Sequence, residues 1–216
     1  MKTHFSSFNP ELFSFAKDPV LVLEHFWSAE ERKMFREAMD HSTWTALADM
    51  PPVEQAFQNC GNWLKAEIDA AKANYFMERV GLSCIAEYME SFPDIIGRHI
   101  NFNFYSYGAG DCLSTHDDTD DAYTYAQGKI PPTRRLALAT YFHEEWQPDW
   151  GGELIIYKEH EDLKEKKNLE VVECIAPSPG SLAIFVVPRF HRVCRVDPLA
   201  EDHKRLSIAG WFMTEH

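Results

Sequence analysis

A short stretch of the chain carries two side chains that together could bind a metal ion. It extends from Tyr107 to Asp118 and contains the end of an aromatic segment, a glycine turn and a short predicted strand with His116. Residues two apart in an extended strand point to the same side, so the His116 imidazole and the Asp118 carboxylate are expected to project together. A metal needs a third ligand, and His191, on a later predicted strand, is the candidate.

Two histidines and one carboxylate with open positions left over suit an iron(II) centre that carries out oxygen chemistry. The sequence therefore predicts that His116, Asp118 and His191 are both metal ligands and catalytic residues. Two alternatives stay open at this point. Asp117 is a rival carboxylate in an acidic run, although a ligand directly after His116 would need a β-bulge. In the other alternative, His116 and Asp118 are an ordinary polar pair at the end of a strand.

The elements that would position these residues follow from hydrophobic periodicity. From Arg98 onward apolar residues recur with a period of two, and glycine and proline turn signals separate the segments. The predicted strands are 98–107, 114–118, 133–142, 152–158, 169–175, 181–187, 190–196 and 205–213. Eight short strands favour a barrel or a two-sheet β-fold. The charged segment 158–167 is expected to be a solvated connection between two of them.

The first half of the chain is expected to be mainly helical. A short strand is predicted from Pro19 to Phe26, and a helix opened by the capping-box pair Ser28 and Glu31 follows it, to about residue 41. A second helical region is predicted from Trp63 to Met89, with an interruption near Gly81. Residues 1–19 are expected to form an arm packed on the rest. We expect one domain, with residues 1–97 packed on a β core of residues 98–213.

Composition limits the possible partners and location. The chain has 216 residues and a formal net charge of −13, which argues against a nucleic-acid partner because binding phosphates needs a basic face. Its five cysteines are scattered and include no C-x-x-C pair, as expected for reduced thiols. Neither a signal peptide nor a membrane-spanning segment is recognisable. These features favour a cytoplasmic protein that does not bind a membrane, and they leave the oligomeric state open.

From about His99 to Phe212 the sequence resembles the prolyl-4-hydroxylase-like branch of the Fe(II)/2-oxoglutarate-dependent dioxygenases. One pair H-x-D would be weak support, but six segments occur in the family order, with Arg205 fourteen residues after His191. The segments are Y-G-x-G…H-x-D from residue 107, R-L-A-L-A-T-Y-F…W from 135, G-G-E-L-I-I-Y from 151, P-G-S-L-A-I-F from 179, H-x-V from 191 and R-L-S-I-A-G-W from 205. The resemblance implies a mostly β fold with flanking N-terminal helices: a double-stranded β-helix, which is a cupin-like jelly-roll.

The resemblance also implies roles for individual residues. His116, Asp118 and His191 match the iron ligands, and Arg205 matches the residue that binds the distal carboxylate of 2-oxoglutarate. A guanidinium suits that task because it offers planar, bidentate hydrogen bonds. The other residues expected to line the cosubstrate pocket are Ser207, Tyr141 and Tyr107. Asn103, Tyr105 and Trp211 are candidates for substrate contact, and His143 occupies a position where the family often has asparagine.

The implied reaction is hydroxylation of an unactivated C–H bond in a prolyl, amino-acid or other small polar substrate. It would use Fe(II), 2-oxoglutarate and O2, with ascorbate as an optional supporting reductant, and would release succinate and CO2. An acidic residue at position 118 disfavours halogenation, because related halogenases have a small residue there. The segment 119–133 is expected to influence substrate choice. A free amino acid or metabolite is favoured over a peptidyl substrate, because no recognition domain is apparent.

Three other functions compete with this interpretation. A cupin-type metal enzyme that does not use 2-oxoglutarate would need no residue such as Arg205. A non-catalytic metal-binding relative would be expected to have lost a ligand, whereas all three candidates are present. A nucleic-acid dealkylase is disfavoured by the negative charge of the chain.

Overall fold

The computed structural model describes residues 20–81, 83–90, 95–119, 133–160 and 168–214. Within these ranges the chain forms eleven β-strands and four α-helices. The arm expected for residues 1–19 lies outside the described residues, as do most of the segment 119–133 and most of the charged segment 158–167.

The helices lie in the first half of the chain and most strands in the second. The helices are α1 (Ala29–Asp40), α2 (Pro51–Ala56), α3 (Ala70–Val80) and α4 (Ser83–Glu90). The strands are β1 (Val20–Leu23), β2 (Thr45–Ala46), β3 (Leu64–Glu67), β4 (Ile95–Tyr107), β5 (Leu113–His116), β6 (Thr133–Tyr141), β7 (Leu154–His160), β8 (Asn168–Ile175), β9 (Leu182–Val186), β10 (His191–Val193) and β11 (Arg205–Thr214).

The strands form two antiparallel sheets. The larger has the order β1-β9-β6-β11-β4-β3-β2 and the smaller the order β5-β10-β7-β8. Strands β4 to β11 thus form two sets of four, and the chain passes back and forth between the sheets. Buried residues from both sheets pack together between them, among them Ala137, Phe185, Ile156 and Ile175. The expected double-stranded β-helix of eight strands is confirmed.

The helices cover the outer face of the larger sheet through an aromatic cluster. The ring of Phe35 on α1 lies 4.5 Å from that of Phe142, just after β6, and 5.4 Å from that of Trp27. The Trp27 ring also stacks on Phe76 of α3, and its indole N–H donates to Thr140 Oγ1 at 2.7 Å. Burial of each such ring stabilises the fold by roughly 1.5–3 kcal/mol.

Strand β11 connects this core to the inner side of the fold because its side chains alternate between the two faces. Ile208 and Phe212 belong to the cluster that packs against the helices. Trp211, which points the other way, packs against the cluster between the sheets. Arg205 and Ser207 share the Trp211 face by the same alternation, so β11 presents all three of these predicted site residues inward.

The predicted start of the second helical region, at Trp63, is wrong. The helix expected from Trp63 instead starts after Asp69, whose side chain accepts a hydrogen bond from the Lys72 N–H as an N-cap. The preceding residues Leu64–Glu67 form β3, which pairs with β4. They are good helix formers, but pairing with the free edge of β4 satisfies backbone groups of both strands, and this tertiary interaction overrides local propensity.

Two other local predictions, the capping box of α1 and the interruption of the second helical region, are confirmed. The capping box of α1 is present, because the Glu31 N–H donates to Ser28 Oγ and the Ser28 N–H donates to Glu31 Oε2. The interruption at Gly81 separates α3 from α4. The described cysteines are free thiols, namely Cys60, Cys112, Cys174 and Cys194. Among the described residues, no helix has the length and apolar character needed to cross a bilayer.

Candidate metal centre

Adjacent strands of the smaller sheet bring the two histidines together. Strands β5 and β10 pair antiparallel, with His116 directly opposite His191. Asp118 Oδ1 lies 3.4 Å from His116 Nε2, and Asp118 Oδ2 lies 3.4 Å from His191 Nε2. The ligand atoms of the three residues all lie within 4.8 Å of one another, so the predicted triad could hold a metal ion.

The backbone reason for this proximity differs from the predicted one. Strand β5 ends at His116, and Asp118 has a φ of 64°, in the left-handed region that aspartate tolerates better than most residues. A turn in the backbone, and not strand alternation, therefore directs the Asp118 carboxylate at the histidines. The Asp117 carboxylate instead accepts a hydrogen bond from the Thr119 N–H, and its backbone carbonyl accepts one from the Arg189 N–H.

Backbone carbonyls determine which ring nitrogen carries the proton in both imidazoles. His116 Nδ1 lies 2.7 Å from the Ser114 carbonyl oxygen, and His191 Nδ1 lies 2.7 Å from the Arg189 carbonyl oxygen. A carbonyl can only accept a hydrogen bond, so each Nδ1 carries the proton. In the neutral imidazole this leaves the Nε2 lone pair free on the side facing Asp118, which is the state that a metal ligand requires.

The charges of the site also suit a divalent cation. Asp118 is 8% exposed. Burial alone would raise the pKa of its carboxyl, but interactions with His116, His191 and Trp211 outweigh burial and lower that pKa to about 2. Burial and the neighbouring His116 lower the pKa of His191 to about 4, against the raising effect of Asp118. At neutral pH the site therefore contains a carboxylate and a neutral His191, as metal binding requires.

Four side chains around the triad were not predicted as parts of a metal site. The ring of Phe57, which follows α2, meets the His116 ring edge-on at 5.1 Å, and the Phe185 ring meets that of His191 at 4.8 Å. The Trp211 indole N–H donates to Asp118 Oδ2 at 2.7 Å, and Arg134 Nη1 lies 3.7 Å from Asp118 Oδ1. No local pattern marks these contacts, since Phe185 and His191 lie on different strands and the other three contacts join residues at least sixteen positions apart.

A second group of predicted residues surrounds Arg205. The Arg205 side chain is only 2% exposed; its Nε donates to the Gly152 carbonyl at 2.8 Å and its Nη2 donates to the Tyr141 hydroxyl at 3.2 Å. Its guanidinium lies over the rings of Tyr141 and Tyr107. A guanidinium has five N–H donors, and within the described part of the chain no carboxylate pairs with this one. Arg205 therefore has a buried charge and donors available for an anionic ligand.

Gly152 makes the position of Arg205 possible. Its φ of 74° favours glycine, and a Cβ atom there would lie 3.0 Å from Arg205 Cδ and 3.4 Å from the Trp146 ring. A side chain at this position would displace the guanidinium. The sequence marked this glycine as a turn signal and as part of a family segment, and neither predicted its carbonyl as the acceptor of the Arg205 Nε–H.

The predicted tyrosines and Ser207 adjoin Arg205. Tyr107 pairs with Arg205 in the sheet, and Ser207, which is buried, lies between Tyr105 and Tyr141 on the two neighbouring strands. Burial raises the pKa of Tyr107 and of Tyr141. Burial and the charge of Asp118 raise the pKa of Tyr105 to about 12. Strand β11 connects the two groups of residues, because its Ser207 pairs with Tyr141 and its Trp211 donates a hydrogen bond to Asp118.

Asn103 lies apart from this arrangement. Its side-chain N–H donates to Asn101 Oδ1 at 2.9 Å. Together with Phe76 and Met77 of α3 it lines a cavity of about 290 Å³ that no triad residue lines. Its proposed contact with substrate therefore stays a prediction without support from the described contacts.

His143 is buried behind the Arg205 pocket. Its Nε2 lies 2.6 Å from the Pro177 carbonyl oxygen, and its ring packs on Trp146. Burial lowers the pKa of His143 to about 3, and the charges of Arg205 and Arg32 lower it too, against the raising effect of the Pro177 carbonyl. An ordinary histidine in an unfolded chain has a pKa near 6.5. His143 is therefore neutral in the folded protein at neutral pH.

This difference in pKa predicts a loss of stability in mild acid. Above about pH 6.5 His143 is neutral in both states, whereas between about pH 6.5 and pH 3 only the unfolded chain binds the proton. Its contribution to the free energy of unfolding should therefore fall by about 2 kcal/mol from pH 7 to pH 5. Denaturant titrations at both pH values should show this extra decrease in the wild type and not in His143→Asn. Equal pH dependence in the two proteins would contradict the assignment.

Comparison with known proteins gives a family match in the region that contains both groups of residues. A family model described as the 2OG-Fe(II) oxygenase superfamily matches residues 102–213, slightly more than half of the chain. Among curated proteins, prolyl 3-hydroxylase OGFOD1 of Mus musculus is 34% identical over 115 residues, which is 52% of this chain and 18% of the relative. The matched region thus spans less than a fifth of that protein.

Solved structures share the fold at lower identity. A prolyl-4-hydroxylase from Pseudomonas putida superposes with a TM-score of 0.57 at 19% identity, covering 94% of this chain and 96% of that one. HygX from Streptomyces hygroscopicus, solved with nickel and 2-oxoglutarate bound, superposes with a TM-score of 0.58 at 13% identity, covering 97% and 88%. At these identities the similarity shows the fold alone.

Proposed function

Because the chain belongs to the 2OG-Fe(II) oxygenase superfamily, we propose that it is an Fe(II)- and 2-oxoglutarate-dependent hydroxylase that acts on a prolyl residue and releases succinate and CO2. The observation that carries this proposal is the pairing of the His116, Asp118 and His191 triad with the buried guanidinium of Arg205. A cupin-type metal enzyme would account for the triad but would give no reason to bury that cation beside the tyrosines.

The triad would hold Fe(II), and Arg205 would hold the distal carboxylate of 2-oxoglutarate. Bound iron, with 2-oxoglutarate and O2, supplies the oxidising power for the reaction. The protein supplies binding and orientation: the Tyr141 hydroxyl and the Gly152 carbonyl fix the guanidinium plane. A carboxylate held there would form charge-assisted, bidentate hydrogen bonds in a region largely shielded from water, where such bonds are strong.

The environment of the triad supports the same chemistry. The rings of Phe57 and Phe185 meet the two histidines edge-on and give them apolar neighbours. The Tyr105 phenol is protonated at neutral pH, where its pKa of about 12 lies even further above the pH than that of an ordinary tyrosine, and it is a potential hydrogen-bond donor to a bound ligand. Asp118 remains a carboxylate and contributes one negative charge to the centre.

The substrate proposal depends on relatives. The relative that is 34% identical is a prolyl 3-hydroxylase, and the structural neighbour from Pseudomonas putida is a prolyl-4-hydroxylase. The sequence taken by itself favoured a free amino acid or metabolite over a peptide. Since the mouse relative is 34% identical over 115 residues, we favour a prolyl residue within a peptide or protein.

A direct assay tests this function. Purified protein with Fe(II), 2-oxoglutarate, O2 and ascorbate is incubated with a library of proline-containing peptides and, separately, with free proline. We expect succinate formation to increase with particular peptides, each of which gains the mass of one oxygen atom at proline. Oxidation of free proline alone would overturn the peptidyl substrate, and iron-independent formation of succinate would overturn the proposed reaction.

A further inference from the structure

We propose that Trp211 is a positioning residue that fixes the orientation of the Asp118 carboxylate, so that Oδ1 is directed to the metal. This inference rests on the proposed metal site. The sequence suggested Trp211 as a substrate contact, whereas in the structure its indole N–H donates to Asp118 Oδ2 at 2.7 Å.

The two oxygens of Asp118 have different partners. Oδ2 accepts the hydrogen bond from Trp211 and lies 3.4 Å from His191 Nε2. Oδ1 lies 3.4 Å from His116 Nε2 and 3.7 Å from Arg134 Nη1, which is too far for a normal hydrogen bond. The Trp211 hydrogen bond therefore occupies a lone pair of Oδ2 and favours coordination of the metal through Oδ1 alone.

The Trp211 ring is itself restrained by a cation over one of its faces. The guanidinium of Arg134 lies 3.8 Å from the centre of the indole ring, a distance at which a cation is attracted to the ring face. The opposing residue on β6 is Ala137, whose small side chain leaves room for the indole between the sheets. The indole N–H has a fixed direction, because rotation of the ring would lose both the stacking and the hydrogen bond.

This restraint matters because the Asp118 backbone does not lie in a strand. A residue in the left-handed region after the end of β5 lacks the hydrogen-bond ladder that fixes His116 and His191. The position of its carboxylate then depends on side-chain contacts, among which the Trp211 hydrogen bond is the shortest. Hydrogen bonds to a metal ligand from a residue that does not itself bind the metal orient that ligand. Their loss typically weakens metal binding by about 10–100-fold.

The test is Trp211→Phe, which retains an aromatic ring for packing and removes the indole N–H. Binding of Co(II) alone, followed by its visible absorption, gives a dissociation constant and a signature of coordination that do not depend on turnover. We expect Co(II) to bind about tenfold more weakly, with a changed spectrum as the freed Oδ2 also approaches the metal.

The matched control is Trp44→Phe. Its indole N–H donates to the Met39 carbonyl at 3.1 Å, so the same atoms are removed at a position outside the site. The control should bind Co(II) with the affinity and spectrum of the wild type. An affinity and spectrum of Trp211→Phe equal to those of the control would overturn the inference. Failure of the wild type to bind Co(II) would instead contradict the proposed metal site.

A second measurement covers the case in which Trp211→Phe does not fold. Hydrogen exchange of the Trp211 indole N–H can be followed in the wild type by NMR, before and after addition of Zn(II). Slow exchange in both states is the result that supports a persistent hydrogen bond to Asp118. Exchange as fast as that of a solvent-exposed indole would contradict it.

Discussion

Replacing His191 with alanine should abolish succinate formation while the protein remains folded. The variant removes one of three metal ligands, and two remaining ligands cannot hold iron in a fixed geometry. The expected loss is at least about 10³-fold in turnover at saturating 2-oxoglutarate, that is, about 4 kcal/mol or more of transition-state stabilisation. Turnover, bound iron and thermal unfolding are measured on the same preparation.

His203→Ala is the matched control for that experiment. The His203 side chain is 45% exposed and lies 3.4 Å from Glu145, outside the triad. The same substitution there should leave turnover and iron content within about twofold of the wild type, since exposed positions contribute little. Turnover of His191→Ala at the wild-type rate with full iron loading would remove His191 from the metal site.

Replacing Arg205 with methionine should weaken 2-oxoglutarate binding by about 100-fold or more. A carboxylate bound in this buried pocket would lose its charge-assisted hydrogen bonds, a loss of about 3 kcal/mol or more. Arg205→Lys should lie between the wild type and methionine, because an ammonium supplies charge without the planar pair of donors. The measurement is the concentration of 2-oxoglutarate that gives half-maximal succinate formation.

Two further measurements on Arg205→Met and one control variant separate this effect from general damage to the protein. Metal affinity should be unchanged in Arg205→Met, because Arg205 makes no contact with the triad within the described residues. The stability of the ligand-free variant should fall little, because the substitution removes a buried cation that lacks a carboxylate partner there. Lys204→Met, which removes an exposed positive charge next to Arg205, should not alter 2-oxoglutarate affinity. A similar weakening in both variants would assign the effect to net charge.

The fold could be predicted from the sequence where the hydrophobic pattern repeats at a short, regular spacing. Each of the eight predicted strands after residue 98 overlaps a strand of the jelly-roll, because a period of two directly reflects one buried face. Strand β3 was missed since Leu64–Glu67 has helical propensity and becomes a strand only through pairing with β4. Such a pairing depends on residues about forty positions away, which no local pattern shows.

The candidate site likewise has a part that could be predicted from the sequence and a part that could not. His116, Asp118, His191 and Arg205 were found from residue type, spacing and family resemblance, and the structure brings the first three together. The left-handed backbone at Asp118 and the hydrogen bond from Trp211 to its carboxylate were not predicted. Both depend on the direction of individual bonds at the end of a strand, which hydrophobic periodicity does not determine.

The central claim is that one pocket binds iron and 2-oxoglutarate together. The most direct test is an anaerobic titration of the purified protein with Fe(II) and then with 2-oxoglutarate, followed by visible absorption. We expect a weak metal-to-ligand charge-transfer band that forms on addition of 2-oxoglutarate, disappears when O2 is admitted, and needs far more 2-oxoglutarate in Arg205→Met. Binding of Fe(II) without any such band would contradict the claim and favour a cupin-type metal enzyme that does not use 2-oxoglutarate.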